Sequence, residues 1–280
     1  MKIIQKYEGW LLAKSPIHHG GNEKTGSTPV LRTIYLYVDG MGEIPFPYLH
    51  GNAIRGKLRR LIMKDFLELL GFEVDKLPVK LYHTFFTGGV LESTEDNYAT
   101  IDLKMRTEIR DLIIPLAVFG CAIGNQMIPG ILKVGHAFPI CKEYYIYLPE
   151  QYKQDERVNK NVKEFTDESF HTRKDDLKAD REKDEQAQQM KVDYECFGIG
   201  TKFYHWFSLE WATELEKSCF GRVIELFRKS PFVGGKSSTG DGEVSFDYRP
   251  QISDSKAYIS FVESNKDLLI ELIAKLGKGK

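Results

Sequence analysis

The stretch PYLHGNAIRGKLRRLIMKDFLELLG, residues 47–71, constrains the fold more than any other part of the chain. Ile54, Leu58, Leu61, Ile62, Phe66, Leu69 and Leu70 fall on one stripe at helical spacing. That spacing predicts an amphipathic helix over 53–70, with Asn52 as N-cap and Gly71 as its stop. A helix with one apolar face must bury it against another layer. A second helix of the same kind is expected in ATELEKSCFGRVIELFRKS, with Leu215, Phe220, Val223, Ile224 and Phe227 inward. Strands are expected in IIQKYEGWLLAKSP, which breaks at Pro16, and in LRTIYLYVDG, GILKVGHAFPI, EYYIYLP, KFYHWFSLE and EVSFDY. A short polar loop, IHHGGNEKTGSTPV, separates the first two, and a last amphipathic helix is expected over 263–276.

In order, the large elements follow βαββαβ, the sequence of a ferredoxin-like or RRM-type sandwich. The expected fold class is therefore α+β, with one domain over residues 1–280 and an insertion at about 150–195. Residues 150–192 are about half charged, with only Tyr152, Phe165 and Phe170 for aromatic content between Pro149 and Tyr194. Such a segment is expected to build no core of its own. Residues 72–110 carry little signal beyond Arg106 and Arg110, and no internal repeat is visible.

Net charge is −1, so any polyanion site has to come from clustering of the 39 Lys and Arg residues, not from their excess. No apolar run is long enough for a membrane span, and the N-terminal stretch does not read as a signal peptide. Cys121, Cys141, Cys196 and Cys219 are far apart and form no C-x-x-C pair. They are expected to be reduced thiols in a cytoplasmic protein, with no metal or cofactor.

Four stretches could carry chemistry. Arg55, Lys57, Arg59, Arg60 and Lys64 give the first helix five cations with no acid between them. Arg55 and Arg59 lie one turn apart on the border of the apolar stripe, while Lys57, Arg60 and Lys64 lie away from the core. These cations suit phosphates, as does the start of a helix. His18 and His19, followed by Gly20 and Gly21, could contact RNA, line a structural loop or serve a nuclease. A metal would need more ligands than these two. In the insertion Arg173, Lys174, Lys178 and Arg181 alternate with acids. Finally, SPFVGGKSSTGDGEVSFDY places Gly234, Gly235, Lys236, Ser237, Ser238, Thr239, Gly240 and Gly242 between a helix and a strand. Bare backbone, hydroxyls and one cation suit a surface that lies against phosphates.

SPIHHGGNEKTG, PYLHGNAIRGKLRRL, AVFGCAIGNQMIPGILKVGHA, GIGTKFYHWFSLE and VGGKSSTGDGEVSF, in that order, resemble the successive signatures of the CRISPR-associated RAMP superfamily. More narrowly they resemble its guide-RNA-coating backbone subunit (Cas family seven). The resemblance implies an RRM-like palm, a β-hairpin thumb from the insertion and helical polymerisation along guide RNA (crRNA). It also implies RNA contacts by Asn52, Arg55 and Arg59, by the loop holding Gly234, Gly235, Lys236, Ser237 and Ser238, and by a thumb at about 170–192. Where RNA-cleaving members carry an aspartate after the first glycine loop, this chain has Asn22, Glu23 and Lys24, with no aspartate until Asp39. The thumb stretch TRKDDLKADR looks closer to type IV, or to a DNA-targeting type I relative. The expectation is a non-catalytic subunit without cofactor. Its partners would be crRNA, further copies of itself, other effector subunits and a complementary DNA or RNA target. A RAMP ribonuclease acting through His18 or His19 is the alternative, and an unrelated RRM-type RNA adaptor ranks behind it.

Overall fold

In the computed structural model, residues 4–25, 28–89, 102–124, 126–174 and 189–278 are described. The strands are β1 (Ile4–Ala13), β2 (Gly20–Thr25), β3 (Thr28–Leu31), β4 (Thr33–Val38), β5 (Gly42–Pro47), β6 (Cys121–Ile123), β7 (Gln126–Ile128), β8 (Leu132–Val134), β9 (Phe138–Pro139), β10 (Thr166–Lys174), β11 (Gln189–Phe197), β12 (Lys202–Glu210) and β13 (Val244–Arg249). The helices are α1 (Gly51–Leu70), α2 (Val79–Tyr82), α3 (Leu103–Leu112), α4 (Ile114–Phe119), α5 (Glu214–Lys229), α6 (Lys256–Ser264) and α7 (Lys266–Lys278).

The central sheet is antiparallel with strand order β13-β1-β12-β8, and β9 also pairs with β12. Together with α1 and α5 this is the βαββαβ sandwich, an α+β fold. Strand alternation sorts its two faces. Tyr7 and Leu11 lie level with Phe207 and Phe203 of β12, and Leu11 with Phe246 of β13. This face meets the helices: Phe220 of α5 packs 5.5 Å from Tyr7 and 5.3 Å from Phe207, and Phe227 stacks on Phe246 at 4.7 Å. α5 starts with a capping box, in which the Thr213 hydroxyl accepts from the Glu216 amide and the Glu216 carboxylate accepts from the Thr213 amide.

The opposite face is also covered. Phe46, Ile140, Cys141, Tyr144, Leu148, Tyr152, Val162 and Tyr204 form a second buried cluster, with Trp10 and Trp206 against it. Two expectations are corrected here. EYYIYLP is not a strand: Tyr144 and Leu148 are buried while Tyr145, Ile146 and Tyr147 are exposed, and Tyr145–Tyr147 is one 3-10 turn. Burial at a spacing of four fits a turn and not an extended pleat. The first part of the charged segment is not coreless, since Tyr152 packs 5.2 Å from Tyr204 and the buried Glu143 carboxylate accepts from the Val162 amide. A few widely spaced apolar residues suffice because the palm already supplies the other half of the core.

Beyond Phe165, β10 and β11 form an antiparallel hairpin in register from Thr166↔Phe197 to Lys174↔Gln189. The polar loop after Pro16 contains the β2–β3 hairpin. The last helix is two, α6 and α7, broken at Asn265. Among the described residues no helix is long and apolar enough to cross a membrane, and no group of three or more His, Cys, Asp or Glu could hold a metal.

Candidate nucleic-acid interface

The glycine-rich loop between α5 and β13 doubles back on itself. The Val233 amide donates to Gly242 O at 2.8 Å, the Gly242 amide to Pro16 O at 2.8 Å, and the Gly235 amide to His18 O at 2.8 Å. Two glycines are needed for this packing. Gly234 has φ +79° and a Cβ there would lie 2.5 Å from His18 O; Gly242 has φ +90° and its Cβ would lie 2.1 Å from Val233 O. Their bareness therefore serves the close approach of two chain segments, and the Gly235 amide, read from sequence as free for RNA, is already used.

What remains is the turn at Lys236. This residue is left-handed (φ 61°, ψ 24°), and one 3-10 turn, Ser237–Thr239, follows. The Thr239 and Gly240 amides bond back to Lys236 O and Ser237 O. The amides of Lys236, Ser237 and Ser238 have no acceptor among the described residues. A left-handed residue followed by a right-handed one aims successive N–H groups into one concavity, which suits an anion. Ser237 and Ser238 are exposed beside it. The Lys236 ammonium lies over the Tyr194 ring, 3.9 Å from its centroid.

His18 and His19 part company, as alternation along an extended chain requires. His18 Nδ1 donates to Glu195 O at 2.8 Å. His19 Nε2 accepts from the His50 amide at 3.2 Å. Two further imidazoles do the same at the start of α1: His136 Nδ1 accepts from the Gly51 amide at 3.0 Å, and His50 Nδ1 from the Asn52 amide at 3.0 Å. The cap of α1 is thus His50, not the expected Asn52, which is exposed. Three consecutive amides are held by ring nitrogens that must be unprotonated, so each of these histidines is neutral. Burial pushes His19 down to about 4, helped by Arg32, His50 and His18, and burial also lowers His50 and His136.

His50, His136 and Arg32 were missed by the sequence reading. The available signal was weak: one His directly ahead of a predicted helix, and one between Gly135 and Ala137. Hydrogen bonds make the glycine loop, the His18–His19 segment and the start of α1 one continuous surface.

The cations of α1 divide differently from the sequence reading. Arg59 is 5% exposed, and its guanidinium donates to Phe85 O at 2.6 Å, Thr84 O at 2.8 Å and Gly120 O at 2.9 Å. Burial lowers its pKa to about 10. Contrary to its place on the solvent border in the sequence reading, Arg59 is turned into the protein, with its guanidinium engaged by backbone carbonyls. Arg55 is half-buried, donating to Phe119 O at 2.6 Å. Lys57 reaches Ser230 Oγ at 3.1 Å, at the root of the glycine loop, and Arg60 is exposed. Arg173 and Lys174 lie near the far end of β10, opposite Met190 and Gln189. Lys178 lies outside the described residues.

No family model matches the sequence. No curated protein matches it either. Among solved structures the fold is similar to a chain of a Type IV-B CRISPR Complex, with TM-score 0.65 and 21% identity, covering 89% of this chain and 93% of that one.

Proposed function

We propose that the protein is a subunit of a CRISPR effector ribonucleoprotein that binds guide RNA through its sugar-phosphate backbone. Its RNA path runs from the amide turn at residues 236–238, past the His18–His19 segment, to the start of α1 with Asn52. The β10–β11 hairpin, with Arg173 and Lys174, would act as the thumb of the resembled family. Further copies of the chain, other effector subunits and a complementary DNA or RNA strand are the proposed partners. The observation that carries this reading is the turn at Lys236, whose successive amides lack acceptors among the described residues. The order of the five resembled stretches and the fold shared with a Type IV-B CRISPR Complex chain support it.

A non-catalytic role is part of the proposal. Cleavage without metal needs an acid and a base on one phosphodiester. His18 and His19 turn to opposite sides, one to Glu195 O and the other to the His50 amide.

Fluorescence anisotropy with labelled single-stranded RNAs of different sequence tests both parts. Binding is expected to weaken with salt and to vary little with sequence, as phosphate contacts carry no base code. Ser238→Pro deletes one amide of the turn and is expected to cost about tenfold in affinity for every RNA alike. Arg60→Glu should weaken binding and flatten the salt dependence. Loss confined to certain sequences would refute backbone recognition. Regularly spaced cuts in the RNA with magnesium present, abolished by His19→Ala, would establish the ribonuclease instead.

A further inference from the structure

We propose that Tyr194 is a positioning residue whose hydroxyl latches the glycine-rich loop to the base of the β10–β11 hairpin, holding the amide turn in shape before RNA arrives. This rests on the RNA-binding reading above. Tyr194 is fully buried on β11, where four chain segments meet. Its hydroxyl donates to Asp241 Oδ2 at 2.7 Å, and Asp241 is itself 6% exposed. With that proton committed, the contact of 2.9 Å to His171 Nε2 on β10 has the imidazole N–H donating to the tyrosine oxygen. His171 Nε2 also lies 3.4 Å from Thr239 Oγ1 and 3.8 Å from Asp241 Oδ2. The ring takes the Lys236 ammonium on one face, and the His18 ring meets it edge-on at 5.0 Å.

The latch matters because the turn is strained. Lys236 is a non-glycine residue in the left-handed region, a strain that persists only where its surroundings impose it. Within the turn the Thr239 amide and hydroxyl hold Lys236 O at 3.0 and 2.7 Å, but the link across to Asp241 is long, with Asp241 N to Lys236 O at 3.4 Å. The side chains on either side of the turn, Lys236 and Asp241, are both held by Tyr194, one by the ring and one by the hydroxyl. A loop ordered beforehand avoids the ordering cost at binding. Hairpin placement and phosphate capture are thereby coupled, although Tyr194 itself is inaccessible to RNA.

Tyr194→Phe keeps the ring for Lys236 and His18 and removes only the hydroxyl. Amide hydrogen exchange of RNA-free protein is the first measurement. Exchange in peptides covering residues 234–243 is expected to rise about tenfold, with α5 unchanged. RNA affinity should fall about fivefold with the salt slope preserved, because no phosphate contact is lost. Asp241→Asn keeps an acceptor for the hydroxyl and should stay within about twofold of the unaltered protein in both readouts. Unchanged loop exchange in Tyr194→Phe overturns the latch, and so does a rise that extends equally to α5. If the unaltered protein binds no RNA, the functional reading fails, while the exchange experiment still decides the latch.

Discussion

Arg59→Ala is expected to destabilise the protein by about 3–5 kcal/mol, seen as a large drop in the urea midpoint. Beside a long contact to Phe119 O, which Arg55 also holds, the guanidinium is the shared donor for three carbonyls, two in the turn after α2 and one at the end of α4. Removing it leaves these acceptors buried without partners and opens a hole beneath α1. Arg59→Lys is expected to lose most of the same stability, since a single ammonium on a flexible stem cannot reproduce the planar fork. Arg60→Ala, one residue on and exposed, should stay within about 0.5 kcal/mol. An Arg59→Ala protein with an unaltered midpoint would show that these carbonyls need no donor. Charge-reversal of Arg59 as a probe of RNA contact would measure unfolding instead.

Acid is expected to destabilise the protein well above the usual carboxylate range. His205 is fully buried on β12, donating from Nε2 to Gly135 O at 3.1 Å and accepting at Nδ1 from the Tyr248 hydroxyl at 2.8 Å. Burial pushes it from 6.5 down to about 3. Between those values the unfolded chain binds a proton that the folded chain refuses. The stability contribution is therefore complete above pH 6.5 and is lost as pH falls, by about 1.4 kcal/mol per pH unit for each such group. At pH 5 His205 alone accounts for about 2 kcal/mol. His19, down to about 4, adds a smaller share because it keeps some contact with water. Urea midpoints at pH 7.5 and pH 5 measure the difference. His205→Gln, which retains a donor and an acceptor, should flatten the profile, and an equally steep profile in that variant would assign the effect elsewhere.

The parts of the fold legible in the sequence are those where one apolar face repeats for several turns or strands. The stripes of α1 and α5, and the strands β1, β12 and β13, alternate or recur because each has one side against the same core. Their order was enough for the βαββαβ reading. Legibility failed where burial comes from outside the segment. Tyr152 and Val162 sit in a charged stretch and are buried only because Tyr204 and Trp10 wait on the far face of the sheet. Tyr144 to Leu148 has strand composition, yet its burial follows a turn. In the candidate interface the segments around His18, Asn52 and Gly235 were legible as compositions, and they do lie on one connected surface. Side-chain direction was not legible. Arg59 looks like its neighbours in sequence, but the carbonyls that claim it come from residues 84–85 and 120, and Lys236 is claimed by a tyrosine on the hairpin.

The position of β1 between β12 and β13 bears on how the chain emerges from the ribosome. About 190 residues separate Ala13 from Lys202, and β13 follows later still. At about 5–20 residues per second, β1 is exposed for roughly 10–40 s with both hydrogen-bonding edges unpaired. An unpaired apolar strand is a template for aggregation. Lys6 and Glu8 break the apolar run of β1 on the face away from the helices, and in the finished protein they pair with each other at 2.6 Å. Charges that interrupt an apolar strand lower its tendency to pair with other chains, and these two sit where the nascent strand has no partner of its own.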